Sequence, residues 1–387
     1  MSEFVVWFDS SDVGAPVLNN TAGSLIGVLD ACLVTGFNTK TVTSIVVASG
    51  VATVTCAGHG FSGTYGKDVL IAGATPAALN GRKELTFVDA NTFRFATTAP
   101  NGTATGTIVA KRDALGWVKQ FAGTNLAIYK RSDVTATSMM LRIDDTNAGI
   151  ATATDARARM IETATDINTL TGLCPTDAQV TGGHFIGKGG NSASAKSWVL
   201  VGSGKSFYLL TSTNLSALRQ PAYFFGDFTS YKAGDVYNCI SGGSASALGG
   251  EDRVAGPISD FPGFVAGKRE LAIARSFNQT GTCVLGNHLG YGSVGSGTNA
   301  TGNPAYPSPI DGGLLINPQI VISENSTGYP ARGVMPGLCQ LLAQAPFARL
   351  QIVEPIVSLP NRKLLAVIIG SANTDYQFAI DITGPWG

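Results

Sequence analysis

Between residues 41 and 111 the chain alternates small polar and branched apolar residues, and this pattern constrains the fold more than any other feature. The stretch TVTSIVVASGVATVTC, residues 41–56, sets Thr and Ser against Val and Ile, and 68–74, 83–98 and 102–111 continue the pattern. The runs are joined by GHG, LNGR, DANT and PNGT, which are typical of tight turns. Because successive side chains of a strand lie on opposite faces, we predict about five or six short strands here.

The flanking sequence differs, which predicts that 41–111, here called the module, is inserted into a larger domain. Residues 21–37 space Leu, Ile and Val at helical intervals before Gly36, so we expect one helix there. An insertion at a loop costs little closure entropy. The predicted main domain is 1–40 plus 112–387. The predicted fold class is mainly β with a few short helices, a multi-strand main domain and an inserted barrel-like or sandwich-like β-domain.

Composition excludes several function classes. Charged residues make up 13% of the chain and the 26 basic side chains balance the 26 acidic ones, so no nucleic-acid surface is predicted. The apolar runs are shorter than the roughly 20 residues of a membrane helix, so no membrane contact is expected. The N-terminus lacks the basic region of a secretory signal, so we expect the protein to be made and to remain in a cytoplasm. A charge-poor chain with 48 glycines suits a protein that packs against copies of itself or a larger assembly.

Cysteine and histidine are too scattered to predict a metal, cofactor or redox site. The six cysteines include no CxxC pair, and we expect free buried thiols. Cys56 and His59 stand close together in CAGHGF, but no second histidine or carboxylate is near them in sequence. His59 is therefore predicted to be a turn residue rather than a metal ligand or a catalytic group.

Catalytic motifs are incomplete. The GSGKS stretch lacks the first glycine of a phosphate loop, since Val199 stands there, and the strand-like FYLLTS follows it, so a hairpin is predicted. His184 and His288 have glycine neighbours, but the chain has no GxSxG elbow. Asp144 and Asp145 would point to opposite faces of a strand, so a turn or surface pair is expected. The chain is predicted not to be an enzyme.

Aromatic residues are dense from 221 to 240, and this run is a candidate for contact with other subunits, with core packing or a ligand platform as the alternatives. The C-terminal DITGPWG adds a large apolar side chain near a chain end. The loop-like segments 241–263 and 286–313 are further candidate contact regions. The candidate subunit-contact residues are Tyr223, Phe224, Phe225, Phe228, Tyr231 and Trp386.

The order of several phrases resembles a family of virion structural proteins of tailed bacteriophages and prophages. These phrases are SSDVGAPVLNNTAGSLIGVLDACLVTGF, GWVKQFAGTNLAIYKR, LRIDDT, ARARMIETATDINTLTGLCPTDAQVTGG, SWVLVGSGKSFYLL, FFGDFTSYKAGDVYNC, ARGVMPGLCQLL and FAIDITGPW. The module's GKDVLIAGATPAALNGRKELTFVDANTFRFATT is similar to small β-modules that recur inside phage head and tail proteins. The resemblance implies a structural component without catalytic residues, made and assembled in the bacterial cytoplasm.

Two positions in a virion fit this resemblance. One is a minor capsid or decoration protein, a trimer on the shell that binds copies of itself and other virion proteins, with the module projecting outward. The other is a tail, tail-tip or baseplate component, in which the module would face the host surface or a neighbouring ring. A polysaccharide-acting enzyme is the third hypothesis, and it requires clustered acids in a groove.

Overall fold

The computed structural model confirms that the protein is mainly β, with strands arranged in several antiparallel sheets. The structure describes residues 4–146, 155–188, 193–212, 220–245, 271–289, 306–342, 347–354, 356, 359–369 and 376–386. Within these ranges, no helix is long and apolar enough to cross a membrane.

The longest described helix lies where the sequence predicts one. It begins as the α-helix α1, Ser24–Leu29, and continues in π-helical geometry over Asp30–Thr35. At Gly36 the chain leaves the helix with φ of 70°, a conformation that glycine adopts without strain. A short 3₁₀ helix, Ala77–Leu79, lies in the module. The buried side chains of the longest helix are Leu25, Ile26, Val28, Leu29, Ala31, Cys32 and Leu33.

One strand precedes α1, nine lie between residues 37 and 112, and the others follow. The first ten are β1 (Val6–Asp9), β2 (Phe37–Thr41), β3 (Ser44–Ala48), β4 (Val51–Thr55), β5 (Val69–Ala72), β6 (Gly81–Lys83), β7 (Thr86–Asp89), β8 (Thr92–Ala96), β9 (Gly102–Thr103) and β10 (Val109–Arg112). The rest are β11 (Val118–Gly123), β12 (Leu126–Lys130), β13 (Met140–Asp144), β14 (Asp155–Ile161), β15 (Thr163–Ala164), β16 (Leu170–Thr171), β17 (His184–Gly187), β18 (Trp198–Gly202), β19 (Ser206–Thr211), β20 (Ala222–Asp227), β21 (Thr229–Ser230), β22 (Cys239–Gly242), β23 (Leu271–Ile273), β24 (Val284–Leu289), β25 (Ile316–Asn317), β26 (Val321–Glu324), β27 (Ala331–Val334), β28 (Leu338–Leu341), β29 (Ile352–Val353), β30 (Leu364–Ile369) and β31 (Tyr376–Asp381).

Two sheets enclose the core of the module, which is sandwich-like. One has the order β2-β10-β5-β6 and the other β7-β8-β4-β3-β9. The core side chains come from the module itself, among them Ile45, Val54, Ile71 and Phe93, all fully buried. The segment holds more strands than the predicted five or six, because β6 and β9 have only three and two residues. An alternation of polar and apolar residues cannot be recognised in a strand of two or three residues.

Three stacked sheets form the main domain. The central ten-stranded sheet has the order β1-β18-β19-β20-β22-β23-β24-β26-β27-β21. One of its faces packs with α1 and the five-stranded sheet β11-β12-β13-β14-β17, in a core that includes Leu29, Leu200 and Phe225. The other packs on the five-stranded sheet β25-β28-β31-β30-β29 through side chains such as Tyr208 and Phe378. The central strands β18 and β19 are therefore buried on both faces.

The central sheet curls back on itself between β20 and β27. β21 follows β20 after a single residue, Phe228, and pairs with β27, the last strand of the run. At the bend, the Phe228 N–H donates to the Asn238 carbonyl at 2.9 Å and Asn238 Nδ2 donates to the Phe228 carbonyl at 2.8 Å. These two hydrogen bonds hold the bend at Phe228 in place.

The two ends of the module lie side by side. β2 and β10 pair antiparallel, with Thr41 opposite Val109 and Phe37 opposite Arg112. The division of the chain into 1–40, 41–111 and 112–387 stays a prediction. The structure adds the observation that the strands at the two ends of the module are paired.

Buried charges connect the module to β1. Lys67 Nζ lies 2.5 Å from a carboxylate oxygen of Asp9 and 2.5 Å from one of Asp12. Burial alone would raise the pKa of Asp9, but the charge and hydrogen bond of Lys67 hold it below its ordinary value. Burial raises the pKa of the neighbouring Asp68 to about 6, against the opposing charges of Arg82 and Arg112. The contact between module and main domain is therefore electrostatic as well as apolar.

Two of the six cysteines form a disulfide, so the prediction of free thiols is wrong for this pair. Cys174 and Cys283 are bonded, with Cα atoms 5.1 Å apart, although 109 positions separate them. Cys174 is held beside β14 by paired hydrogen bonds with Met160, and Cys283 directly precedes β24, so the bond joins two sheets. The remaining cysteines are free and buried, as predicted: Cys32, Cys56, Cys239 and Cys339.

Two further predictions concern turns and loops. The GSGKS stretch forms the turn between the antiparallel strands β18 and β19, as predicted. Most of the predicted loops 241–263 and 286–313 lies outside the described residues. Their first residues are not loop, because β22 extends to Gly242 and β24 to Leu289.

Candidate functional site

The predicted aromatic contact run lies mainly inside the main domain. Tyr223, Phe224, Phe225 and Phe228 are each 2% exposed. Tyr223 and Phe225 point into the core on the α1 side, and Phe224 and Phe228 point into the opposite core. In the described structure their contacts are within the chain, which is the core-packing alternative. Tyr231 differs, because it is 56% exposed.

Trp386 is also packed within the chain. It is 5% exposed, its ring centroid lies 5.6 Å from that of Tyr208, and Nε1 donates to the Asp381 carbonyl at 2.7 Å. The indole lies so close to Gly337 that a side chain there would collide with it. Trp386 therefore holds the C-terminal segment against the sheet rather than standing free to enter a partner.

A cleft with a volume of about 300 Å³ lies where the aromatic run ends, and we call it the polar cleft. Its walls come from the loop after β12, the β18–β19 turn, the segment from β20 to β22, and the C-terminus. Phe228 and Trp386 contribute apolar surface. The polar side chains in the walls are Thr135, Lys205, Ser206, Asp227, Thr229, Ser230, Lys232, Asp235 and Asn238.

Asp227 is fixed on one side of the polar cleft by Arg131 and Thr137. Arg131 Nη1 donates to Asp227 Oδ1 at 2.5 Å, and the Thr137 hydroxyl donates to the same oxygen at 2.7 Å. The Thr137 N–H donates to Oδ2 at 2.8 Å. Arg131 is buried and also donates to the Thr137 and Met139 carbonyls. The carboxylate is therefore oriented and faces the guanidinium of Arg131.

Asp235 is fixed in the same manner by Arg332. Arg332 Nη2 donates to Asp235 Oδ2 at 2.8 Å, and Nη1 donates to Glu324 Oε1 at 2.6 Å. All three side chains are at most 1% exposed. Ser230 Oγ donates to Asp235 Oδ2 at 2.8 Å, and the Tyr237 N–H donates to Oδ1 at 3.0 Å. Because these partners occupy both oxygens, Asp235 is a structural anchor of the cleft wall.

The adjacent acids Asp144 and Asp145 do not act as a pair. Asp144 is partly exposed and accepts from the Thr146 hydroxyl at 2.7 Å. Asp145 is fully buried, which corrects the expectation of a turn or surface pair. Its Oδ1 lies 2.5 Å from Lys188 Nζ, and its Oδ2 accepts from the Leu25 N–H at 2.9 Å.

Asp145 thereby caps the N-terminus of α1, where the local sequence has no capping side chain. Burial raises the pKa of Asp145, although Lys188 and the N–H groups of the first helical turn favour the carboxylate. Asp145 and Lys188 are structural, since they fix α1 on the sheet below it.

Cys56 and His59 belong to the module core. His59 is fully buried, its Nε2 lies 2.9 Å from the Asp89 carbonyl, and its Nδ1 accepts from the Phe61 N–H at 2.9 Å. Its ring stands edge-on to Phe93 with centroids 5.2 Å apart. Burial raises the pKa of the Cys56 thiol. Among the described residues no group of three His, Cys, Asp or Glu could hold a metal ion.

The outer face of the sheet β7-β8-β4-β3-β9 is open to solvent, and we call it the module's open face. Val46 and Val51 on it are 46% and 40% exposed. Across the strands, Val46 pairs with Thr53, Thr53 with Arg94, and Arg94 with Thr86. Apart from Arg94, this row is uncharged, so it is poor in charge.

Sequence reasoning missed the arginines that build the polar cleft. Arg131 reaches Asp227 across 96 positions and Arg332 reaches Asp235 across 97. No local spacing signals such pairs, and only the density of aromatic residues beside Asp227 pointed towards this region.

Comparison with protein-family models gave no match for this chain, and comparison with curated proteins found no significant similarity.

Proposed function

We propose that this protein is a non-enzymatic structural component of a tailed-bacteriophage virion, a minor capsid or decoration protein that assembles as an oligomer on the shell. The proposal rests on the phrase resemblance and on one structural observation, the module's open face. This face exposes valines and threonines with little charge, whereas the central strands of the main domain, such as β18, are buried. A charge-poor face that exposes branched apolar side chains suits repeated contact between subunits.

The chemistry of the polar cleft gives little support to an enzyme. A glycosidase needs one carboxyl group that gives up a proton and another that stays ionised. Asp227 and Asp235 instead have both carboxylate oxygens engaged by arginine, hydroxyl or backbone donors. Both carboxylates are therefore engaged within the chain rather than presented to a substrate.

Within the proposed virion the protein would contact copies of itself, as a trimer, and other virion proteins, and the module would be the part facing outward. The alternative role, in a tail, tail tip or baseplate, uses the same open face against the host surface or a neighbouring ring. The two roles differ in copy number rather than in chemistry.

The deciding measurement is the number of copies of this chain in purified virions, by quantitative mass spectrometry against the major capsid protein. Copies on the order of hundreds would support the shell position, and about three to twelve would move the protein to the tail. Absence from intact virions would overturn the structural proposal altogether.

A further inference from the structure

One end of the central ten-stranded sheet carries three turns, 231–238, 274–283 and 325–330. They follow β21, β23 and β26 and precede β22, β24 and β27. The strands β22, β23, β24, β26 and β27 are consecutive neighbours in the sheet, and each pair is antiparallel. Because the chain reverses direction at every step, these three turns lie side by side at the same end of the sheet.

Hydrogen bonds join the three turns. The Tyr231 N–H donates to the Arg332 carbonyl at 2.8 Å, and Gln279 Nε2 donates to the Gly234 carbonyl at 3.4 Å. The buried Arg332 also donates through Nη1 to the Arg275 carbonyl at 2.6 Å. The turns are therefore held relative to one another, so the surface that they present needs little reorganisation before it binds.

Each of the three turns exposes large apolar side chains. Tyr231 and Val236 on the first turn are 56% and 62% exposed, Phe277 on the second is 50% exposed, and Tyr329 on the third is 49% exposed. We call these four residues the apolar rim. Tyr329 has a φ of 44°, a left-handed conformation that is unfavourable for a bulky side chain. Backbone preference therefore does not explain a tyrosine at this position, whereas a role in contact would.

The turns that carry the apolar rim present little charge. All of their residues are described, and Lys232 is their one charged residue with an exposed side chain. The side chain of Arg275 is 17% exposed and is paired with Glu162, and that of Asp235 is 1% exposed. Exposed tyrosine and phenylalanine with few charges are the composition of an interface core. Such a surface can also face a copy of itself with little repulsion between like charges.

The area of the apolar rim agrees with what the association of two copies needs. At the observed exposed fractions its four side chains offer roughly 400 Å² of apolar surface, since a phenylalanine or tyrosine side chain buries about 150–250 Å². A standard interface buries about 800 Å² on each partner, of which roughly 56–65% is apolar. The apolar rim therefore supplies most of the apolar area that one copy would contribute.

We propose that the apolar rim is a surface through which copies of this chain associate, the rim of one copy meeting the rim of the next. The inference adds a contact surface to the virion proposal but does not rest on it, because it concerns the purified chain in solution.

The test is sedimentation velocity of the purified full chain between about 1 and 100 µM. The wild type is expected to self-associate with Kd of about 10 µM or tighter, a value within the range of interfaces of this size. A wild type that stays monomeric up to about 100 µM overturns the proposal, including the case in which the rim serves a different protein.

Two matched variants locate the contact. Phe277→Asp places a charge in the apolar rim and should weaken self-association at least about tenfold, as expected for a central aromatic contact. Val46→Asp places the same charge on the module's open face, where the side chain is 46% exposed, and should associate as the wild type does. Equal weakening by both variants, or weakening by Val46→Asp alone, overturns the assignment to the rim. In the second case the copies meet through the open face, and the virion proposal stands.

Tyr329→Asn gives a second readout at a different turn. Asparagine adopts the left-handed conformation more readily than tyrosine does, so the turn should still form, and the thermal midpoint of the variant checks that the chain is folded. Loss of the exposed ring should weaken self-association about threefold or more. A folded variant that associates as tightly as the wild type counts against the proposal.

Discussion

The module and the main domain differ in how many faces of their β-sheets are buried. In the module, strands such as β3 and β4 alternate buried and exposed residues, so each has one face in solvent. In the main domain, β18 and β19 are buried along their whole length because a second and a third sheet cover them. A charge buried between packed layers has no solvent to hydrate it, so it must be paired, as Asp145 is with Lys188 where β13 and β17 end beneath α1.

The largest effect should come from breaking that buried pair. Lys188→Met leaves Asp145 buried without its cation, and we expect the main domain to lose about 3–5 kcal/mol of unfolding free energy. All four tryptophans lie outside the module, so tryptophan fluorescence during urea unfolding reports the main domain. The control is Lys363→Met, whose partner Glu354 is 47% exposed, and it should cost less than about 1 kcal/mol. Equal losses would contradict the distinction between buried and exposed pairs.

The disulfide should matter nearly as much, and only to the main domain. Replacing Cys174 and Cys283 together with alanine opens a loop with a sequence separation of 109 residues, and we expect a loss of about 2–4 kcal/mol. Urea unfolding of the oxidised wild type and the double variant measures it. Adding a reductant should destabilise the wild type and leave the variant unchanged, and a variant as stable as the oxidised wild type would show that the bond contributes nothing.

A core change in the module tests whether the two regions unfold together. Phe93 is fully buried against His59 and Phe61, and Phe93→Leu should cost the module about 1–2 kcal/mol. Hydrogen exchange of β3 and β4 should become faster, while the tryptophan-monitored transition stays in place. A parallel fall in that transition would show that module and main domain form one cooperative unit.

Asp68, at the contact between the module and the main domain, should make the stability of the protein depend on pH. Burial raises the pKa of Asp68 to about 6, so the folded chain holds this proton at pH values where the unfolded chain has lost it. This contribution therefore lowers stability as the pH rises from about 4 to about 6. Asp68→Asn should remove the slope and add about 1 kcal/mol at pH 7, as measured by urea unfolding across this range. An unchanged slope would mean that Asp68 titrates normally.

The smallest effect is expected on the module's open face. Val46→Thr changes a side chain that is 46% exposed and should alter stability by less than about 0.5 kcal/mol. Its neighbour Val47 is 3% exposed and points into the core, so Val47→Thr should cost over about 1 kcal/mol. Thermal unfolding of the two variants provides the comparison, and similar losses would show that the open face is covered.

The sequence predicts strands that are covered on one face better than strands that are covered on both. Singly covered strands show their period, so the module could be recognised from residues such as Val46 and Val47. Doubly covered strands read as continuous apolar runs, which do not tell one face from the other. For this reason the aromatic run around Phe224 and Phe225 suggested a contact surface, although both of its faces lie in cores.

Long-range partners could not be predicted from one sequence. Asp145 and Lys188 are 43 positions apart and Cys174 and Cys283 are 109 positions apart, and neither separation corresponds to a local motif. The polar cleft has the same limitation, because its walls come from segments that meet only through folding.

The pairing of β2 with β10 has a mechanical consequence. The two ends of the module continue along β2 and β10 to Phe37 and Arg112, which lie opposite each other on these paired strands. A force that pulls the module away from the main domain would load both strands in the same direction and divide the tension between them. It would not slide one strand past the other. The module is thus attached to the main domain through two strands that share the load.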